Sequence, residues 1–147
     1  MKLEHVNEER FAKNLSRAIQ IATISHEDEA DTDWTKFKEF HDFLKEAYPK
    51  TFSTLDVEEV GRAGLILHWK GSDNTLDPIG FLAHQDVVPV APGTEEDWTY
   101  PPFSGANDGT FIWGRGALDM KSHLLCIIEG IETLLEEGYT TTRDVYV

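Results

Sequence analysis

One histidine and two acids stand where a fold could bring them together around a metal ion. His84 and Asp86 follow an apolar run, residues 79–83, that is typical of a buried strand. Because side chains alternate along a strand, His84 and Asp86 point to the same side. Imidazole and carboxylate suit Zn²⁺, Co²⁺ or Mn²⁺, so the pair indicates a ligand with an acid that orients it or also contacts the metal. A strand-end histidine satisfied by a neighbouring acid, with no metal, is the alternative interpretation.

The third residue, Asp119, closes a glycine-punctuated segment over residues 113–121. A long stretch of apolar residues with helical spacing follows it, which predicts a helix that begins close to Asp119. The helix dipole favours negative charge at this end and would help to keep the carboxylate ionised. A strand end and a helix start would then each present one metal ligand.

The two segments carry a specific resemblance. AHQDVVPV, residues 83–90, and WGRGALDMK, residues 113–121, closely resemble the two N-terminal signatures of the dinuclear zinc metallopeptidases of family twenty. This family includes carboxypeptidase S, aminoacylase and Gly-Xaa carboxypeptidases. The intervening WTYPPFSG, residues 98–105, is similar to the linker of that family, above all in its carboxypeptidase S branch. The resemblance covers nearly the whole chain.

The resemblance implies a role for each of the three residues. It makes His84 a ligand of one metal and Asp119 the bridge between two zinc ions, with cobalt or manganese as possible substitutes. It makes Asp86 the catalytic residue that orients His84, and it implies a cis peptide bond between Asp119 and Met120. The implied fold is the α/β, three-layer αβα catalytic domain of a zinc exopeptidase, of which residues 1–147 would form the N-terminal portion.

The resemblance also implies a function for a longer polypeptide. We expect a zinc-dependent exopeptidase that hydrolyses the amide bond next to the free C-terminal carboxylate of short peptides. An N-acyl-amino-acid deacylase would use the same metal site. The general-base glutamate, the other ligands and a domain for homodimer formation are expected beyond residue 147, so residues 1–147 alone should be inactive. A natural short remnant or non-catalytic binding module is the remaining alternative.

Composition limits the partners of the chain. Its 147 residues carry a formal net charge of −14, which argues against nucleic acid or an anionic membrane surface as a partner. No stretch approaches the roughly 20 apolar residues that a membrane span needs. Residues 1–10 are too polar for a signal peptide. The default expectation is a cytoplasmic protein that binds a short peptide or an N-acyl amino acid.

Hydrophobic patterns predict the elements that position the site. Three amphipathic helices are expected over residues 8–21, 33–47 and 120–137. Strands are expected over residues 51–60, 65–69 and 79–83, and a short return strand over residues 111–113. Four further residues with reactive or charged side chains are not expected to act in the chemistry. His41 is expected at the surface and Cys126 in the core. Arg115, which would brace its turn, and Lys121 are expected to have structural roles.

Overall fold

The computed structural model describes residues 6–147. Residues 6–10 of the polar segment 1–10 lie within this range, and its first five residues lie outside it. In the described part of the chain, four α-helices and four strands organise the fold: α1 (Glu8–Gln20), α2 (Trp34–Ala47), α3 (Pro49–Thr54), β1 (Asp56–Val60), β2 (Gly64–Trp69), β3 (Ile79–Gly80), α4 (Ser122–Glu136) and β4 (Val145–Tyr146). The predicted α/β class is confirmed.

Two of the helices, α1 and α2, follow residues whose side chains cap their free backbone N–H groups. Asn7 caps α1 by accepting a hydrogen bond from the backbone N–H of Arg10, and Asp33 caps α2 through Thr35. The prediction missed α3, because residues 51–54 were assigned to a strand. Pro49 begins this helix, since proline at the first helical position loses no hydrogen bond and its fixed φ suits the helix.

The strands form one sheet in the order β1-β2-β4-β3. β1 and β2 are an antiparallel hairpin, β4 is antiparallel to β2, and β3 runs parallel to β4. Alternate residues of β2, Leu67 and Trp69, are buried and pack with Ile131 of α4. Helices therefore cover this face of the sheet, while Ile66 on the opposite face is partly exposed.

The segment that carries His84 differs from its prediction. Only Ile79 and Gly80 pair as a strand, and residues 81–86 belong to no helix or strand. Phe81 is 44% exposed and Leu82 is 89% exposed, so the expectation of a buried strand was wrong. Pairing with β4 covers one edge of this segment, and the side chains of its apolar run have little packed against them.

Two other predictions also failed. The Asp108–Gly109 turn forms, with Gly109 at a φ of +89°, but its return segment makes a single bridge between Asn107 and Ile112 instead of a strand. Asp108 accepts backbone hydrogen bonds from the residues after it, which satisfies the turn locally. Cys126 is exposed, because it lies on the outer side of α4.

The core lies between the helices. Its largest cluster joins α1, α2 and α4, and a second cluster joins α4 to the sheet. Fully buried members of the first cluster are Ala18, Ile19, Phe40, Tyr48 and Leu125. Among residues 6–147, no helix combines the length and the hydropathy needed to cross a membrane.

Candidate metal centre

The structure brings the three predicted site residues together. The imidazole of His84 lies between the two acids, with Nε2 3.0 Å from Oδ1 of Asp119 and Nδ1 3.1 Å from Oδ1 of Asp86. Nδ1 is also 3.1 Å from the backbone carbonyl oxygen of Asp86. The two carboxylates therefore contact different nitrogens of one ring: Asp86 contacts Nδ1, and Asp119 contacts Nε2.

The turn before α4 sets the position of Asp119. Gly116 has a φ of +79°, and a Cβ at this position would overlap with the side chain of Val87. The backbone of Asp119 and Met120 is non-helical, and the peptide bond between them is cis. Asp119 is consequently held out from the helix, and its side chain is 88% exposed.

Lys121 anchors this turn to the end of α1. The residue is fully buried, and its Nζ donates to the backbone carbonyls of Ala18, at 2.8 Å, and Ile21, at 2.6 Å. Nζ also lies 4.8 Å from the ring centroid of Phe40. Burial lowers the pKa of Lys121 to about 7. The side chain thus ties the turn to the end of α1, in agreement with the structural role expected for it.

The segment after α1 supports the histidine-bearing segment. Ile24 and Val87 form a parallel bridge, and the backbone N–H of Val87 donates to the carbonyl of Thr23 at 2.9 Å. The hydroxyl of Thr23 donates to the backbone carbonyl of Gln85 at 2.6 Å, and Ser25 donates to Oδ2 of Asp86 at 2.5 Å. Backbone and side-chain hydrogen bonds therefore hold the three residues that follow His84.

The position of His41 corrects a prediction. This residue was expected at the surface, but it is buried on α2, with Nε2 2.9 Å from Oε1 of Gln85 and 3.1 Å from the carbonyl of Ala63. Gln85 also donates to Ala63. His41 therefore fixes the residue between His84 and Asp86. Its sequence environment gave no signal of this contact, because the partners lie 22 and 44 residues away.

The charges around His84 favour its protonated form. Burial of the ring works against protonation, but the hydrogen bond to Asp119, the contact with the backbone of Asp86 and the charges of both acids outweigh it, so the pKa of His84 is raised. A divalent metal would take the place of the proton on Nε2.

The donor set fits a zinc ion in part. Nε2 of His84 and Oδ1 of Asp119 converge on one position, and the other ring nitrogen faces a carboxylate, as is usual for ligating histidines. Within residues 6–147, no group of three or more His, Cys, Asp or Glu side chains is arranged to hold a metal. A tetrahedral zinc site needs four ligands, so the described residues supply only some of them.

Arg115 lies beside the centre and makes structural contacts. Its guanidinium carbon is 5.1 Å from the ring centroid of Trp98, and its backbone N–H donates to the carbonyl of Pro102 at 2.7 Å. Together with the three site residues, it borders a cavity of about 220 Å³. These contacts hold the turn before Asp119 against the preceding loop.

Comparison with known proteins agrees with the two motifs. Residues 80–147 match the family described as Peptidase family M20/M25/M40. The chain is 44% identical over 140 residues to the putative carboxypeptidase YOL153C of Saccharomyces cerevisiae. This alignment covers 90% of this chain and 24% of that protein. It is 40% identical over 144 residues to the N-fatty-acyl-amino acid synthase/hydrolase PM20D1 of Mus musculus, covering 95% of this chain and 28% of the relative.

A solved structure shows the same fold. The crystal structure of human carnosine dipeptidase 1 superposes with a TM-score of 0.71 and 18% identity, over 96% of this chain and 32% of that chain. The chain spans about a quarter of the length of the two curated relatives described above. The resemblance to the M20 metallopeptidases that the two motifs predicted is therefore confirmed for this chain.

Proposed function

We propose that the full-length protein is a zinc-dependent exopeptidase that cleaves the amide bond next to the C-terminal carboxylate of a short peptide. The observation that carries the proposal is the convergence of His84 Nε2 and Asp119 Oδ1, with Asp86 on the second ring nitrogen. Similarity to a putative carboxypeptidase supports the same reaction.

Each of the three residues has a distinct role in this proposal. Asp86 accepts a hydrogen bond from Nδ1 of His84, which fixes the tautomer in which Nε2 is free to ligate. Asp119 is well exposed and can offer both carboxylate oxygens, as a residue that bridges two ions requires. Zinc, when bound, supplies Lewis-acid polarisation of the amide carbonyl and lowers the pKa of a water molecule toward ~7.

We propose further that residues 1–147 form the N-terminal part of the catalytic domain. The chain corresponds to about a quarter of its relatives, and the described residues provide an incomplete ligand set. Proton removal from the attacking water needs a carboxylate within hydrogen-bond reach. Asp86 and Asp119 already contact the imidazole, so we assign this task to a glutamate outside the chain.

An N-acyl-amino-acid deacylase is the second candidate. The similarity to an N-fatty-acyl-amino acid synthase/hydrolase favours it. Both reactions hydrolyse an amide whose amine side carries a free carboxylate, so the same metal ligands serve either one. Turnover of a dipeptide and of an N-acyl derivative of the same C-terminal amino acid, compared by kcat/KM, separates the two candidates.

The test of the metal centre uses two histidine variants of the full-length protein. His84→Ala removes a ligand and should lower kcat/KM by more than about 100-fold, since even groups that only orient a ligand are worth 10–100-fold. His123→Ala is the matched control, because His123 is exposed on α4 and contacts neither acid. Chelator should abolish activity of the unmodified protein, and added zinc should restore it.

Two results would contradict the proposal. One is hydrolysis that survives both chelator and His84→Ala, which would place the reaction elsewhere. The other is chelator-sensitive hydrolysis by residues 1–147 alone, which would mean that this chain contains its own general base. A full-length protein that hydrolyses neither substrate would favour the non-catalytic binding module.

A further inference from the structure

Ser25 lies outside both signature segments and contacts the metal centre through a single hydrogen bond. Its hydroxyl donates to Oδ2 of Asp86 at 2.5 Å. Hydrogen bonds from a hydroxyl to an ionised carboxylate are shorter and about twice as strong as those between neutral groups. This contact therefore holds the Asp86 carboxylate strongly.

The backbone places Ser25 at this distance. The N–H of Ser25 donates to the carbonyl of Val87 at 3.1 Å, and the N–H of Val87 donates to the carbonyl of Thr23 at 2.9 Å. The two segments thus run side by side, with Ile24 bridged to Val87. Because Thr23 is fully buried, the Ser25 hydroxyl is anchored to the core and not to a mobile loop.

The two oxygens of Asp86 have separate partners. Oδ2 accepts from Ser25, and Oδ1 faces Nδ1 of His84 at 3.1 Å. Rotation of the carboxylate would break the hydrogen bond to Ser25, so this contact fixes the direction in which Oδ1 points. A continuous chain of polar contacts then runs from Ser25 through Asp86 and His84 to Asp119.

We propose that Ser25 is a positioning residue that orients His84 for metal binding by acting through Asp86. The inference rests on the proposed metal centre. The Asp86 side chain is 40% exposed, so water would compete for a carboxylate that the Ser25 hydroxyl no longer held. The imidazole would lose a fixed acceptor at Nδ1, and Nε2 would be directed less sharply toward the position shared with Asp119.

The test uses three variants and cobalt(II) as the probe. Ser25→Ala should raise the cobalt dissociation constant of the full-length protein by about tenfold, the lower end of the effect of groups that orient a ligand. Ser25→Thr retains the hydroxyl and should restore most of the affinity. Ser25 borders a cavity of about 650 Å³, which leaves room for the added methyl group.

Ser16→Ala is the matched control. Ser16 donates a hydrogen bond of 2.6 Å to the carbonyl of Gly105, and none of the site residues contacts it. This variant should lower the melting temperature of the metal-free protein, because it also removes the hydrogen bonds of a hydroxyl group. Its cobalt affinity should equal that of the unmodified protein.

A second measurement reports on Asp86 without metal. NMR coupling constants across the Cα–Cβ bond of Asp86 should indicate one rotamer in the unmodified protein and in Ser25→Thr, and averaging in Ser25→Ala. Equal cobalt affinity in Ser25→Ala and the unmodified protein would overturn this inference alone. An unmodified protein that binds no cobalt would overturn the metal centre and this inference with it.

Discussion

The helical side of the molecule and the sheet edge that carries His84 are built in different ways. Around the helices, apolar side chains such as Phe40 and Leu44 are almost fully buried, and the buried carboxylate of Glu132 accepts three hydrogen bonds. At the edge, Leu82 and Leu118 flank the candidate metal ligands and are each 89% exposed. Apolar side chains on the helical side are therefore packed as in a domain interior, whereas those at the edge face solvent.

This difference separates stability from function. Burial of apolar surface around α1, α2 and α4 supplies the main stabilising term, since that term grows with the apolar area removed from water. The sheet edge that carries His84 is positioned instead by a few hydrogen bonds from Thr23, Ser25 and His41. We therefore expect substitutions on the two sides to affect different measurements.

The largest expected contrast in stability is between two identical substitutions. Leu44 is 2% exposed and Leu82 is 89% exposed. Leu44→Ala should lower the free energy of unfolding by about 3 kcal/mol, through lost apolar contacts and the cavity left in the core. Leu82→Ala should change it by less than about 0.5 kcal/mol, because the side chain already meets water. Urea unfolding followed by circular dichroism measures both values.

Equal effects of these two substitutions would remove the contrast. If Leu82→Ala cost as much as Leu44→Ala, the exposed segment would be packed against something in solution, such as a second copy of the chain. Sedimentation at several protein concentrations would identify that association, because its effect on stability depends on concentration.

The next effect concerns a buried carboxylate on the helical side. Glu132 of α4 is 1% exposed and accepts hydrogen bonds from the backbone N–H groups of Lys50 and Thr51 and from the Thr51 hydroxyl. It thereby satisfies the start of α3. Glu132→Gln should lower the free energy of unfolding by about 2 kcal/mol, because the NH2 group that replaces one carboxylate oxygen cannot accept a hydrogen bond and the remaining bonds go to a neutral acceptor.

Glu137→Gln is the control for this substitution. Glu137 lies at the end of the same helix and its side chain is exposed, so the change should be within about 0.5 kcal/mol. A Glu132→Gln variant as stable as this control would mean that the start of α3 does not depend on the carboxylate charge.

Much of the helical side could be predicted from the sequence. The helical spacing of apolar residues located α1 and α2 to within about one residue. The segments that carry His84 and Asp119 were identified by their resemblance to two short family signatures, and the structure places the two side chains 3.0 Å apart. In both cases the information is local, so a short stretch of chain contains it.

The remaining features depend on contacts between distant parts of the chain. The burial of His41 follows from Gln85 and Ala63, and the placement of Ser25 follows from Val87. Periodicity cannot reveal such partners. The expected burial of residues 79–83 failed for a related reason: an apolar run is typical of a strand covered on both faces, and the coverage belongs to the tertiary structure.

The smallest expected effect is a pH dependence at the sheet. Asp144 accepts a hydrogen bond from the backbone N–H of Gly71 at 2.8 Å and contacts Nε2 of His68 at 3.0 Å. These contacts, led by the Gly71 N–H, lower the pKa of Asp144.

A carboxyl whose pKa is lower in the folded state binds fewer protons there than in the unfolded state. The stabilisation from Asp144 is therefore present above the unfolded pKa of about 4 and is lost as pH falls through the folded value. The difference in unfolding free energy between the unmodified protein and Asp144→Asn should therefore shrink as the solution becomes more acidic than the unfolded pKa of about 4. Urea titrations of both proteins across this range test the sign, and a difference that grew in acid would mean that Asp144 is held in its protonated form.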